Sequence, residues 1–227
     1  MSISKDDILQ KLQRRILTME LAPGQPLDEV RLSKEFNVSR TPMRDILRRL
    51  AGDGYVQIRD QRGTVVAPMD PKSMRNFFLT APMIYAATSR LAAQLATAAQ
   101  IDDLAAIQKR FKEAVEHEAV DALVYFNDRF HFTIGEMADN PFLAPSLQRL
   151  LIDHARIGQT FWNVGSDGPS GAVREASRHH DQFLEIFAAH DEEAAVALTL
   201  EHWELSRTNI ESYIRPTPLS VDIDLAV

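Results

Sequence analysis

Residues 21–67, LAPGQPLDEVRLSKEFNVSRTPMRDILRRLAGDGYVQIRDQRGTVVA, constrain the fold more than any other part of the chain. Pro23, Gly24 and Pro26 halt whatever helix precedes them. A short helix over 28–36 follows, with Val30, Leu32 and Phe36 turned inward. Asn37 then stands at a tight turn, and asparagine is one of the few non-glycine residues that tolerate the left-handed conformation such a turn needs. Ser39 caps the next helix, and Pro42 lies in its first turn, where a missing N–H costs nothing. Ile46, Leu47 and Leu50 face inward, leaving Arg40, Arg44 and Arg48 on the exposed face. Residues 55–58 and 64–67 read as two short strands, with Gly63 near their turn. Helix, turn, helix and hairpin in this order make a winged helix-turn-helix, whose second helix enters the major groove of a duplex.

Arg40 and Arg44 lie four residues apart and so project from one face, where each guanidinium fork matches the O6 and N7 acceptors of guanine. Ser39 and Thr41 are placed to bond phosphates or bases, and Arg48, a turn further on, to meet the backbone. Arg62, at the wing tip beside Gly63, suits a minor groove or a phosphate. Ahead of this unit, Ser4 caps a helix reaching about residue 20, with Ile8, Leu12, Ile16 and Leu17 on one face and Arg14 and Arg15 toward solvent.

The net charge of −7 argues against nucleic acid when the 227 residues are taken whole. Residues 1–70 hold 12 Lys+Arg against 10 Asp+Glu, whereas residues 71–227 hold 13 against 22. A mildly basic head thus joins an acidic body, and the four arginines from Arg40 to Arg49 supply the local field. The chain has no cysteine, which removes disulfides and thiolate zinc sites. No apolar run is long enough to cross a bilayer and MSISKDD is not a signal peptide, so the expected location is cytoplasmic, with no membrane partner.

The boundary falls near Pro68-Met69-Asp70-Pro71. Beyond it, helical periodicity continues almost to residue 214, in segments of about 71–98, 101–118, 120–138, 141–163, 170–189 and 191–214. The fold class is therefore mainly α: a winged-helix DNA-binding domain over 1–70, an all-helical bundle over 71–215 for ligand binding and dimerisation, and a tail over 216–227.

All seven histidines lie in the body. His131, His180 and His202 sit on three different helices beside apolar residues, and Asn127, four residues before His131, shares its face. Imidazoles converging inside a bundle can hold a divalent metal (zinc first, then nickel, iron or manganese), leaving positions open for a small carboxylate. Isolated helical histidines are more often surface residues, or core residues bonded to a carbonyl. His117, His154, His179 and His190 are placed outside the site. Arg156 and Arg90 are candidate partners for an anion, Arg90 more naturally facing solvent. Tyr85, Phe130, Phe161 and Trp162 can shape the pocket.

The stretch from APGQPLDEV to RGTVVA, above all SRTPMRDILRRL followed by DGY and RG, resembles the DNA-binding domain of GntR-type bacterial regulators. That resemblance implies base or phosphate contacts for Arg40, Thr41 and Arg44, and a minor-groove wing at Arg62 and Gly63. Residues from about 75 to 214, with FHFTIGEMADNPFL and HHDQFLEIFAAHDEEAAVALTLEHW, are similar to the helical FCD effector domain of the FadR-like branch of those regulators. There an aspartate and three histidines surround a metal; the matching positions here are Asn127, His131, His180 and His202. Asn127 offers a neutral and weaker oxygen, while Asp128 points about 100° away around the helix. Where members of the branch often carry arginine and glutamate in the first effector helix, this chain has Ala81 and Tyr85.

These readings imply a homodimer on a palindromic operator, repressing until a small organic acid binds. Two rivals stay open. One is a metal-dependent enzyme in the body, with Glu136 or Asp181 as base; the other is a regulator for which the metal itself is the signal.

Overall fold

The computed structural model describes residues 4–59, 63–161 and 171–214. Arg62, Trp162, the Phe161 side chain and the 216–227 tail therefore lie outside the described residues. The head is built from α1 (Lys5–Leu17), β1 (Pro26–Leu27), α2 (Glu29–Glu35), α3 (Arg40–Gly52), β2 (Val56–Arg59) and β3 (Gly63–Val66). The body is built from α4 (Pro71–Leu95), α5 (Ala98–Glu116), α6 (Val120–Met137), α7 (Ala144–Phe161), α8 (Gly171–Ala188) and α9 (Glu192–Ile214). The mainly α architecture expected from the periodicity is the one observed.

Local chemistry explains the head. Ser4 and Asp7 form a reciprocal capping box that starts α1. Asp28 caps α2 by accepting from the N–H groups of Val30 and Arg31. Asn37 adopts φ +52°, as the turn requires, and the Val38 N–H returns to the Ser33 carbonyl. Ile8, Leu12 and Ile16 of α1 then meet Met43, Ile46, Leu47 and Leu50 of α3 and Val56 and Val66 of the sheet in one core. Each such side chain contributes about 1.5–3 kcal/mol when fully buried. The three antiparallel strands run in the order β1-β3-β2, with Val56 opposite Val66 and Arg59 opposite Gly63.

Several details differ from expectation. α1 stops at Leu17, because Met19 takes φ +62°. Val30 is 41% exposed, since Leu32, about 200° away around the helix, takes the inward side. Arg15 is not free in solvent but pairs with Glu20 and Glu35. Ser39 has the extended backbone of a cap, yet its side chain makes no capping hydrogen bond. The two-residue β1 has no periodicity to announce it.

In the body, α4 runs along α9 and carries the core residues Phe77, Ala81 and Tyr85, which pack with Leu147 and Leu151 of α7 and Trp203 of α9. Phe130 and Ile134 of α6 pack with Phe183 and Phe187 of α8 in a second cluster. Head and body share a third: Leu17 and Tyr55 lie against Phe111, Leu123 and Ile152. A buried polar latch reinforces that junction. Arg156 of α7 donates through Nη1 to the Ala67 carbonyl at 2.5 Å and pairs with Asp153, which Arg149 also holds at 2.8 Å. The Arg149 stem crosses Gly54 so closely that a Cβ there would lie 2.6 Å from its Cδ; Gly54 also has φ +88°. Only glycine satisfies both conditions.

Candidate functional site

At the head, Arg40, Thr41, Arg44 and Arg48 are exposed along the first three turns of α3. A residue absent from the sequence reading organises two of them. Glu29, at the start of α2, accepts from Arg40 Nε at 3.0 Å and from Arg44 Nε and Nη2, each at 3.1 Å. Glu29 is mostly covered, while the guanidinium ends of Arg40 and Arg44 stay open. The two forks are thus held side by side on one carboxylate. Their hydrogen bonds to Glu29 push its carboxyl below, and the Arg44 guanidinium above, their ordinary ranges. Gly63, at φ +70°, turns the hairpin between β2 and β3.

Within the body, α6 supplies Asn127 and His131, α8 His180 and α9 His202, all buried. One ring nitrogen from each histidine lies within 4.8 Å of the others. Asn127 Oδ1, His131 Nε2, His180 Nε2 and His202 Nδ1 are buried without a hydrogen-bond partner. Such buried orphans are costly unless something binds them. Burial among one another holds the imidazoles neutral: it drives His131 and His180 well below the usual range and His202 down to about 3. Neutral nitrogens with free lone pairs are what a divalent metal needs, so the residues present fit one.

Outside that ring of ligands, Gln108 of α5 sets the tautomer of His180. Its amide nitrogen donates to the Ser177 carbonyl at 2.8 Å and to Asp181 Oδ1 at 3.1 Å, so its oxygen must face His180 Nδ1, 3.0 Å away. Nδ1 therefore carries the proton and Nε2 keeps a free lone pair toward the cluster. Phe130 stacks on the same ring at 3.9 Å between centroids. Gln108 gives no sign in the sequence beyond its place on the inner face of α5.

His154, expected outside the site, lines it. Its ring lies 5.4 Å from that of His131, and its Nδ1 shares a hydrogen bond of 2.9 Å with the Tyr85 hydroxyl. The pattern Leu147, Leu151, His154 on one face of α7 carries that placement. Tyr85 borders the cavity, and burial pushes its hydroxyl well above the ordinary range, so it stays neutral. Ser89, Thr199 and Trp203 join it. The space between these residues is about 10 Å³, room for roughly one water molecule.

Arg156 is corrected: it is fully buried at the junction with the head and does not face the cavity. Arg90 is tied to Glu192 and Glu193 on the surface. Asp128 points away, as its helical angle requires, into a groove lined by Gln13, Arg49 and Tyr55. His117 and His190 bond the carbonyls of Glu113 and Ala93, apart from the cavity. Neither nominated base serves the histidines: Asp181 is paired with Lys112 at 2.7 Å, and Glu136 borders a separate groove with Phe132 and Leu147. Among the described residues no helix is long and apolar enough to cross a membrane.

Both parts of the chain match known families. Residues 4–66 match the model of the bacterial regulatory proteins of the gntR family, and residues 83–205 match the FCD domain. The HTH-type transcriptional repressor RspR of Escherichia coli (strain K12) is 35% identical over 132 residues, which is 58% of this chain and 58% of that protein. The chain thus spans little more than half the length of that relative. The galactonate operon transcriptional repressor of the same organism is 25% identical over 209 residues, covering 80% of this chain and 90% of that protein. Among solved structures, E. coli McbR/YncC superposes with a TM-score of 0.75 at 18% identity, covering 92% of this chain and 97% of that one, a likeness of fold. The chain belongs to the GntR family of bacterial regulatory proteins and carries an FCD domain as its helical body.

Proposed function

We propose that this protein is a homodimeric transcriptional repressor of the cytoplasm that holds a palindromic operator until a small organic acid reaches its helical body. Residues 1–70 act as the DNA-binding unit and 71–215 as the effector and dimerisation unit. The convergence of one ring nitrogen each from His131, His180 and His202 carries the reading of the effector site, and Asn127 Oδ1, one helical turn before His131, is likewise buried and unpaired. These residues hold a divalent ion, zinc by preference, which when bound supplies an electrophilic anchor for a carboxylate. The repressors RspR and of the galactonate operon support the sign of regulation.

Recognition of DNA falls to Arg40, Thr41 and Arg44 for base edges, with Ser39 and Arg48 on phosphates and Arg62 and Gly63 at the wing. A single winged helix spans few base pairs, so two copies about a twofold axis supply the affinity. Leu79 and Met83, four residues apart on α4 and 69% and 64% exposed, offer an apolar face for the second copy.

The 10 Å³ of open space is too small for an organic acid, so Tyr85 and His154 must part to admit one. His154 lies on the same helix as Arg149, Asp153 and Arg156, which grip Gly54 and Ala67 of the head. A displaced α7 therefore moves the head as one rigid lever. A tenfold change in operator affinity needs only about 1.4 kcal/mol of such coupling. The same small space favours a second reading, in which the ion alone is the signal.

The test selects the operator from random duplexes and follows binding by fluorescence anisotropy, with and without zinc and a panel of small carboxylates. Operator affinity that falls at least tenfold with one carboxylate, only in the zinc-loaded protein, is the expected result. Affinity that tracks zinc alone supports the second reading. Indifference to both refutes the effector role of the histidine cavity.

A further inference from the structure

Helices α8 and α9 meet along a seam where consecutive residues point to two sides. His180 and His202 face the cavity already described. The residues just before them, His179 and Glu201, face the other side, where Glu175 joins them one turn back on α8. Glu175 and His179 are four residues apart, so both project from the same helical face. His179 is fully buried, and neither of its ring nitrogens has a hydrogen-bond partner. Its Nε2 lies 3.3 Å from Glu175 Oε1 and 3.6 Å from Glu201 Oε1. One ligand atom from each of the three falls within 4.8 Å of the others.

Two carboxylates drawn to one imidazole nitrogen, in a geometry that makes no hydrogen bond, suit a borderline cation better than they suit each other. Glu175 also receives Arg178 Nε at 3.0 Å. A carboxylate has about four lone-pair directions, so it can serve the guanidinium and an ion together. Glu175 and Glu201 are 38% and 65% exposed, which opens this place to solvent where the inner cavity is closed. The His179 and His202 rings are 5.5 Å apart, so the two places are neighbours.

We propose that Glu175, His179 and Glu201 form a second divalent-cation site, distinct from Asn127, His131, His180 and His202, with water completing the coordination. Two of its ligands come from α8 and one from α9, so a bound ion cross-braces the helix pair that also carries His180 and His202. It exchanges freely with solvent and occupies a place of its own, independent of the reading of the inner cavity.

The full-length protein, stripped of metal and titrated with zinc, is followed by native mass spectrometry and calorimetry. Wild type takes two ions per chain. E175Q/E201Q, altered only at exposed carboxylates, takes one, the weaker step being lost by more than about tenfold in affinity. H131A keeps the step that E175Q/E201Q loses. Circular dichroism confirms that both variants fold. Should the inner cavity bind nothing, wild type takes one ion and E175Q/E201Q none, and the outer site still stands. Identical zinc stoichiometry and affinities in wild type and E175Q/E201Q overturn it.

Discussion

Glu29 shows how one carboxylate organises a reading head. It fixes two exposed arginine forks that would otherwise lose rotamer freedom on meeting DNA. Arg44→Ala is expected to weaken operator binding by about 1–3 kcal/mol while leaving the fold intact; anisotropy against operator and random duplex measures it, and unchanged discrimination would remove Arg44 from base reading. Glu29→Gln loosens both forks and removes a negative charge, so random-duplex affinity should rise while the operator-to-random ratio falls. At the other end, Gln108→Leu leaves His180 Nδ1–H buried without an acceptor. A cost of about 1–3 kcal/mol in stability and a 10–100-fold loss of metal affinity are expected, read by denaturation and zinc calorimetry. The buried histidines also set a pH response. Free histidine protonates near 6.5, but burial lowers His154 to about 4 and His202 to about 3. Between those values the unfolded chain binds more protons than the folded one, so stability present above 6.5 is lost as pH falls toward 4. The slope is at most about 1.4 kcal/mol per pH unit for each histidine. A urea midpoint of the metal-free protein that stays flat from pH 7.5 to 5 would contradict this.

Among the helices, α7 has the double duty. Its inner face presents Leu147, Leu151 and His154 to the body, and Arg149, Asp153 and Arg156 secure the head. Arg156→Ala removes a buried partner from Asp153 and from the Ala67 carbonyl. A loss of about 3–5 kcal/mol is expected, with calorimetry showing head and body unfolding in separate steps. A single unchanged transition would show that the Leu17 and Tyr55 contacts alone join them. The caps of α1, α2, α4 and α5 belong to this scale too. Ser4, Asp28, Asp70 and Thr97 each bond the first-turn backbone of the helix they precede, and four-residue patterns such as S-x-x-D and T-x-x-Q mark two of them in the sequence.

For the molecule as a whole, local periodicity was sufficient to write down the winged head, the helical body and each helix to within about three residues at its ends, because amphipathic spacing and capping act over a few residues. Family likeness put Asn127, His131, His180 and His202 forward; each is buried, and one ring nitrogen from each histidine lies within 4.8 Å of the others. Tertiary packing alone decided the rest. His154 and Arg156 are two residues apart on α7, yet one faces the cavity and the other the head, because that helix is wedged between both. Glu29 and Gln108 matter through distant partners, such as Arg40 11 residues away and His180 72 residues away. Whether a polar side chain on an inward face meets a histidine, a carbonyl or nothing depends on which turn of a distant helix lies opposite it. No periodicity within one segment encodes that alignment, which is settled only when the cores of head and body close against each other.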